Sequence, residues 1–160
     1  MTTPFAGRPA HDVIAALDLQ PLEGEGAWWA AGPRTRHLSS ITVLLTAGED
    51  GFSAMHKLDV DEGWQWLDGA PAAMLRLGRG GRGSLSSIEA RTGQVLVTTG
   101  TWQGAATLGD WTLLTCWCAP AFTWEGFTLG DRCALQRDYP DWAREIEVLT
   151  RVHTPAQQAG

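Results

Sequence analysis

Apolar and polar residues alternate through the middle of the chain. In WTLLTCWC, Trp111, Leu113, Thr115 and Trp117 fall on one face, and Thr112, Leu114, Cys116 and Cys118 on the other. That period of two is the mark of a β-strand. Both faces are largely apolar, so the strand is central. HLSSITVLLTAG, GWQWLDG, AAMLRLG, LSSIEA and GQVLVTTG are also short, β-rich and bounded by glycine or turn residues. At least six closely spaced strands without long helices between them predict an antiparallel barrel or sandwich. Helical spacing occurs only at the two ends. Val13, Ile14 and Leu17 share a face in a short helix over 9–19, with Pro9 in its first turn and Pro21 after it. The barrel spans about 26–128. Asp131 caps a short helix through Gln136, and Pro140 opens PDWAREIEVLTRV, where Trp142, Ile146 and Leu149 form a stripe. That stripe predicts a helix that covers the barrel or meets a partner subunit. The helices fill 131–152, and 154–160 reads as a frayed tail of a single domain.

Composition narrows the function classes. The 160 residues carry a net charge of -6, with Lys57 the only lysine, so no basic footprint for nucleic acid or anionic membrane is expected. Three cysteines make no disulfide framework, and the opening MTTPFAGRPAHD has no basic segment followed by an apolar run. Both features predict a cytoplasmic protein. Nine tryptophans are many for one core of this size, which suggests that some of them line a cavity.

Several motifs fail on their context. Gly78, Gly80 and Gly83 spell GxGxxG, but strand-like SLSSIEA follows where a dinucleotide site needs a helix; the segment reads as a hairpin loop. Cys116 and Cys118 lack two further zinc ligands at suitable spacing and read as buried thiols. DVDEG is too short of oxygen ligands for calcium, so Asp59 and Asp61 read as turn acids. His11, His37 and His153 default to surface or helix-end roles.

The segment SAMHKLDVDEGWQWLDG is different. Gly48, Ala54-Met55-His56, Glu62 and Gly69 resemble the first motif of the cupin superfamily, in which a His-x-His pair and a glutamate hold a metal. TTGTWQGA resembles the second motif, with Thr98 at the proline position, Gly100 matching and Gln103 at the position of the last histidine ligand. SSITVLL, MHKLDVDEGWQWLDGAP, GTWQGA, WTLLTCWCAPAFTWEGFTLGDR and YPD are similar to the DUF985, or cupin-5, family. EGAWW, from Glu25 to Trp29, resembles that family's Glu-Gly-Gly-aromatic segment, with Ala27 in place of a glycine. The resemblance implies a double-stranded β-helix (jelly-roll) barrel, all-β with flanking helices, a pocket between its sheets, and a homodimer. It implies no particular reaction.

Carried over residue by residue, the metal set becomes Ala54, His56, Glu62 and Gln103. Alanine cannot ligate and a carboxamide is a weak donor, so no tightly held transition metal and no cofactor are expected. His56 and Glu62 remain as a proton-transfer pair, with His56 expected to titrate near neutrality. Trp64 and Trp66 share the parity of Glu62 and are candidate pocket walls. Trp102, Gln103 and Met55 join them, with Trp28 and Trp117 as further candidates for binding an aromatic or hydrophobic small molecule. The expectation is a metal-independent isomerase, epimerase, cyclase or lyase, as in specialised metabolism. The alternatives are a non-catalytic binding module for an aromatic or sugar-like ligand, and a metal-dependent cupin with an incomplete ligand set.

Overall fold

The structure is a computed structural model that describes residues 3–152; His153 and the tail expected over 154–160 lie outside the described residues. Two antiparallel sheets face each other. The first runs, in spatial order, β1 (Gln20–Pro21), β2 (Trp28–Arg34), β3 (Ser39–Thr46), β10 (Trp111–Ala119), β5 (Asp61–Gly69) and β8 (Gln94–Val97). The second runs β11 (Phe127–Leu129), β4 (Ser53–Leu58), β9 (Trp102–Thr107), β6 (Ala72–Leu77) and β7 (Gly83–Ile88). This is the expected jelly-roll arrangement, with β10 central in its sheet between β3 and β5.

Period-two alternation along the strands separates an inner core from two outer ones. Val43, Leu45, Trp64, Met74, Ile88, Leu114 and Cys116 pack between the sheets. The helix α1 (Ala10–Leu17) lays Val13 against Leu44, Trp111 and Leu113 on the outside of the six-stranded sheet. On the outside of the five-stranded sheet, α2 (Arg132–Asp138) and α3 (Ala143–Val148) bring Leu135, Ile146 and Leu149 onto Met55, Leu75 and Leu77. The Asp131 carboxylate accepts from the Ala134 N–H at 2.8 Å and caps α2 as expected. The C-terminal stripe does cover the barrel, although Pro140–Trp142 form a 3-10 turn ahead of α3 rather than its first turn.

Helices therefore cover part of both outer sheet faces and form apolar clusters there, while Leu85 on β7 and Leu96 on β8 stay exposed. Alternation alone divides residues into two sets without saying which set faces the cavity. The GRGGRG segment is the β6–β7 hairpin connection, and β7 starts at Gly83 with no helix behind it.

Candidate functional site

On β4 the parity is Met55 out, His56 in, Lys57 out. His56 pairs across to Gln103 on β9, and Glu62 on β5 pairs with Cys118 on β10. Directly opposed residues share a sheet face, so the two strand-borne motifs meet between the sheets. His56 Nε2 lies 3.6 Å from Glu62 Oε2. The Gln103 amide donates to the same oxygen at 2.6 Å, and its own oxygen accepts from the Trp64 indole N–H at 2.9 Å. The hydrogen-bond chain from the Trp64 donor through Gln103 to the Glu62 acceptor fixes which way the amide points.

The structure adds a residue that strand parity did not supply. Glu25, in the turn before β2, places Oε1 3.7 Å from His56 Nδ1 and accepts from the Ser53 hydroxyl at 2.6 Å. Its backbone is pinned as well, since the Ala54 N–H donates to the Glu25 carbonyl at 3.0 Å. Gly26 follows at φ 92, and a Cβ there would strike the Arg151 guanidinium and the Phe52 carbonyl. Ala27 then takes φ 67, a conformation that favours glycine. The Glu-Gly-Ala run was the sequence signal for this turn, but it gave no direction for the side chain.

His56 is thus an imidazole between two carboxylates, 2 % exposed, with its Nδ1–H donating to the Ala54 carbonyl at 2.8 Å. Burial alone would pull its pKa down; Glu25 and Glu62 outweigh that and push it up to about 9. The expectation that His56 titrates near neutrality is therefore corrected: its surroundings raise it and favour the imidazolium at neutral pH. Burial pushes the Glu25 carboxyl up, against the opposing pull of His56 and Ser53. Burial, with Glu62 and Glu25 nearby, also raises the thiols of Cys116 and Cys118, so both are protonated walls rather than nucleophiles.

These groups stand at a cavity of about 340 Å³. His56, Glu25, Glu62 and Trp64 line it, with Trp29, Ile41 and Val43 from one sheet and Phe122, Trp124 and Phe127 closing over it. Phe127 stacks on His56 with ring centroids 5.4 Å apart. A few polar groups set in an apolar, aromatic wall is the usual make-up of a small-molecule site.

Of the predicted site residues, His56, Glu62, Trp64 and Gln103 come together. The other five are placed elsewhere. Trp28 packs outside the barrel with α1, and its neighbour Trp29 takes the inward position. Met55 and Trp102 belong to the outer core under α2 and α3. Trp117 lies against Gly63, while Cys116 and Cys118 face the cavity. Trp66 does face inward, but its indole N–H bonds the Ala70 carbonyl at 3.3 Å, away from the cavity. His11 and His37 are exposed and Cys116 and Cys118 are buried free thiols, as expected.

The donor set does not suit a cupin metal. One imidazole and two carboxylates are present, and the Gln103 oxygen is already taken by Trp64, leaving its N–H₂ facing Glu62. Turning the amide to offer oxygen would strand the buried indole N–H. Among the described residues no three His, Cys, Asp or Glu side chains are arranged to hold an ion.

Comparison with known proteins agrees with the architecture. No curated protein matches the chain. A crystal structure of a protein from Shewanella oneidensis superposes with a TM-score of 0.82 at 28% identity, over 91% of this chain and 99% of that one. A hypothetical protein from Leishmania major gives 0.81 at 20% identity, over 91% and 100%. Oxalate decarboxylase from Bacillus subtilis gives 0.57 at 13% identity, over 82% of this chain and 37% of that one, a likeness of fold alone. The family described as "Cupin superfamily (DUF985)" matches residues 11–130. The chain belongs to that family of cupins.

Proposed function

We propose that this cupin is a metal-independent enzyme that moves a proton on a small, largely apolar substrate, an isomerase, epimerase, cyclase or lyase. One observation carries the reading: a buried imidazole between two carboxylates opens onto an aromatic-walled cavity. Burying three charges costs stability that apolar packing would not, and such clusters concentrate at functional sites. His56 enters as the acid, donating its proton to an oxygen or carbon of the substrate. Glu62 is the base: Gln103 and His56 hold its Oε2, and its Oε1 accepts no hydrogen bond from the described residues. Glu25 sets the charge of His56. One proton leaves the substrate for Glu62 as another arrives from His56, so an isomerisation needs no external oxidant or reductant.

A second reading has its own observation. Both His56 nitrogens are engaged, one with Ala54 and one towards Glu62, and the ring is covered by Phe127. That closure suits a cavity that only binds an aromatic or sugar-like ligand. The experiment separates the two. A ligand is first found by native mass spectrometry of the purified protein or by tryptophan quenching. His56→Gln should then cut turnover by ~10²–10⁴-fold while binding persists. A ligand that binds and is never converted favours the binding module, and full turnover in His56→Gln ends the enzyme reading. The homodimer belongs to the same proposal and is tested by sedimentation equilibrium.

A further inference from the structure

The row of inward residues that holds His56 continues past Gln103. Gln103 pairs with Arg76 on β6, and Arg76 with Ser84 on β7. In the facing sheet Glu62 pairs with Val97 on β8. The Gln103–Glu62 hydrogen bond therefore has the His56 cavity on one side, and on the other a second opening between β7 and β8. That opening is a cavity of about 290 Å³ lined by Arg76, Arg82, Ser84, Val97, Thr98 and Thr101 among others, with no carboxylate in its wall.

Its chemistry is unfinished. Arg76 Nε is buried without a hydrogen-bond partner, and Arg76 forms no ion pair with the described residues. Ser86 Oγ, two positions along β7 from Ser84, is the other buried side-chain polar atom left unpartnered among the described residues. Native proteins rarely leave such groups unmet unless water or an ion meets them. Ser86 shares the inward parity of Ser84 but lies beside Met74 in the core, outside that wall; Arg76 is the orphan that lines the cavity. A guanidinium presents a planar fork of donors that matches a carboxylate or phosphate, and hydroxyls complete such sites. In a chain of net charge -6, two arginines free of acids in one cavity wall are an exception to the general field.

The β6–β7 connection is built to hold this arrangement. Gly83 lies where the Trp142 indole closes on the backbone, leaving no room for a Cβ. The Gly78 N–H donates to the Arg82 carbonyl at 2.8 Å, closing the turn between the two arginines. The glycines that imitate a dinucleotide motif thus set Arg76 and Arg82 on the same cavity.

We propose that this second cavity binds a small organic oxyanion, a carboxylate or a phosphate monoester, through Arg76 and Arg82 with Ser84, Thr98 and Thr101. The site is independent of the proton-transfer reading, and its test needs no turnover. Inorganic phosphate and acetate are titrated calorimetrically into the whole protein, each against chloride at matched ionic strength. Saturable binding of at least one is expected, and which one binds identifies the class. Affinity should fall roughly tenfold or more in Arg82→Gln, the order expected for a lost charge-assisted hydrogen bond, and hold in Arg144→Gln on α3. Arg76→Gln should weaken binding at least as much; where its melting curve shows misfolding, the exposed Arg82 decides alone. No saturable binding of either anion, or an affinity unchanged in Arg82→Gln, overturns the proposal.

Discussion

Glu25→Gln should lower the pKa of His56 and flatten the pH dependence of stability. Glu25 is the strongest of the groups that raise His56, with Oε1 at 3.7 Å from Nδ1. At an effective dielectric of about 20 a unit-charge pair at that distance is worth about 4 kcal/mol, or ~3 pK units. The substitution keeps the shape and the acceptor for Ser53, so a fall of about 1–3 units is expected. Because the folded value lies above the unfolded one, His56 stabilises the fold fully below pH 6.5, and this contribution is lost as pH rises through about 9. At full size that loss is roughly 3 kcal/mol. The raised thiols of Cys116 and Cys118 add a loss of stability only as pH passes the ordinary thiol value of 9; Glu25 contributes to that shift, so Glu25→Gln reduces this loss as well. The His56 Hε1 resonance, assigned with His56→Gln, reads the pKa directly, and urea unfolding from pH 6 to 9 reads the stability. Wild-type His56 titrating near 6.5, or His56 still at about 9 in Glu25→Gln, would refute the reasoning.

The indoles should divide by position. Trp29→Ala should weaken binding of an aromatic ligand by ~1–3 kcal/mol with little change in melting temperature. Trp66→Ala and Trp102→Ala should lower the melting temperature and leave affinity intact; fluorescence titration and thermal melts giving the reverse pattern would move the site. Dialysed protein should hold far less than stoichiometric zinc, iron, nickel or manganese by elemental analysis, because Gln103 spends its oxygen on Trp64. Bound metal with His56 in its coordination shell would contradict that.

The strands and their alternation were legible because each one repeats a local rule. On β10 the split of Trp111, Leu113 and Trp117 from Leu114, Cys116 and Cys118 is the one the sheet adopts. Choosing the inward set required knowing that helices cover both outer faces. Trp28 satisfies α1, and Trp102 and Met55 satisfy α2 and α3. Large aromatics on an outer face are no less buried there, so size and parity could not identify the cavity wall. Trp66 had the right parity and failed on depth: Leu67 is the extra residue of a bulge between β5 and β10, and the indole turns to Ala70.

Glu25 was hidden for another reason, and it changes the meaning of the degenerate motif. A turn residue has no face, so its direction depends on Gly26, Ala27 and the Arg151 contact, which no periodicity records. In the metal-binding cupin pattern neutral histidines and one carboxylate surround a dication. Here Ala54 and Gln103 remove two of those ligands, while Glu25 adds a second carboxylate beside His56. Two carboxylates buried together require positive charge; the proton on His56 supplies it between them, and Arg151 adds a weaker pull on Glu25. Gln103, at the motif position of a ligand histidine, contributes a neutral N–H to Glu62 instead of an electron pair to an ion. On the proposed reading the cation at the centre of the site is a proton, held or released according to pH and to what occupies the cavity. A ligand that desolvates the cluster or brings its own charge shifts that proton, and such a shift is the elementary step of acid–base catalysis.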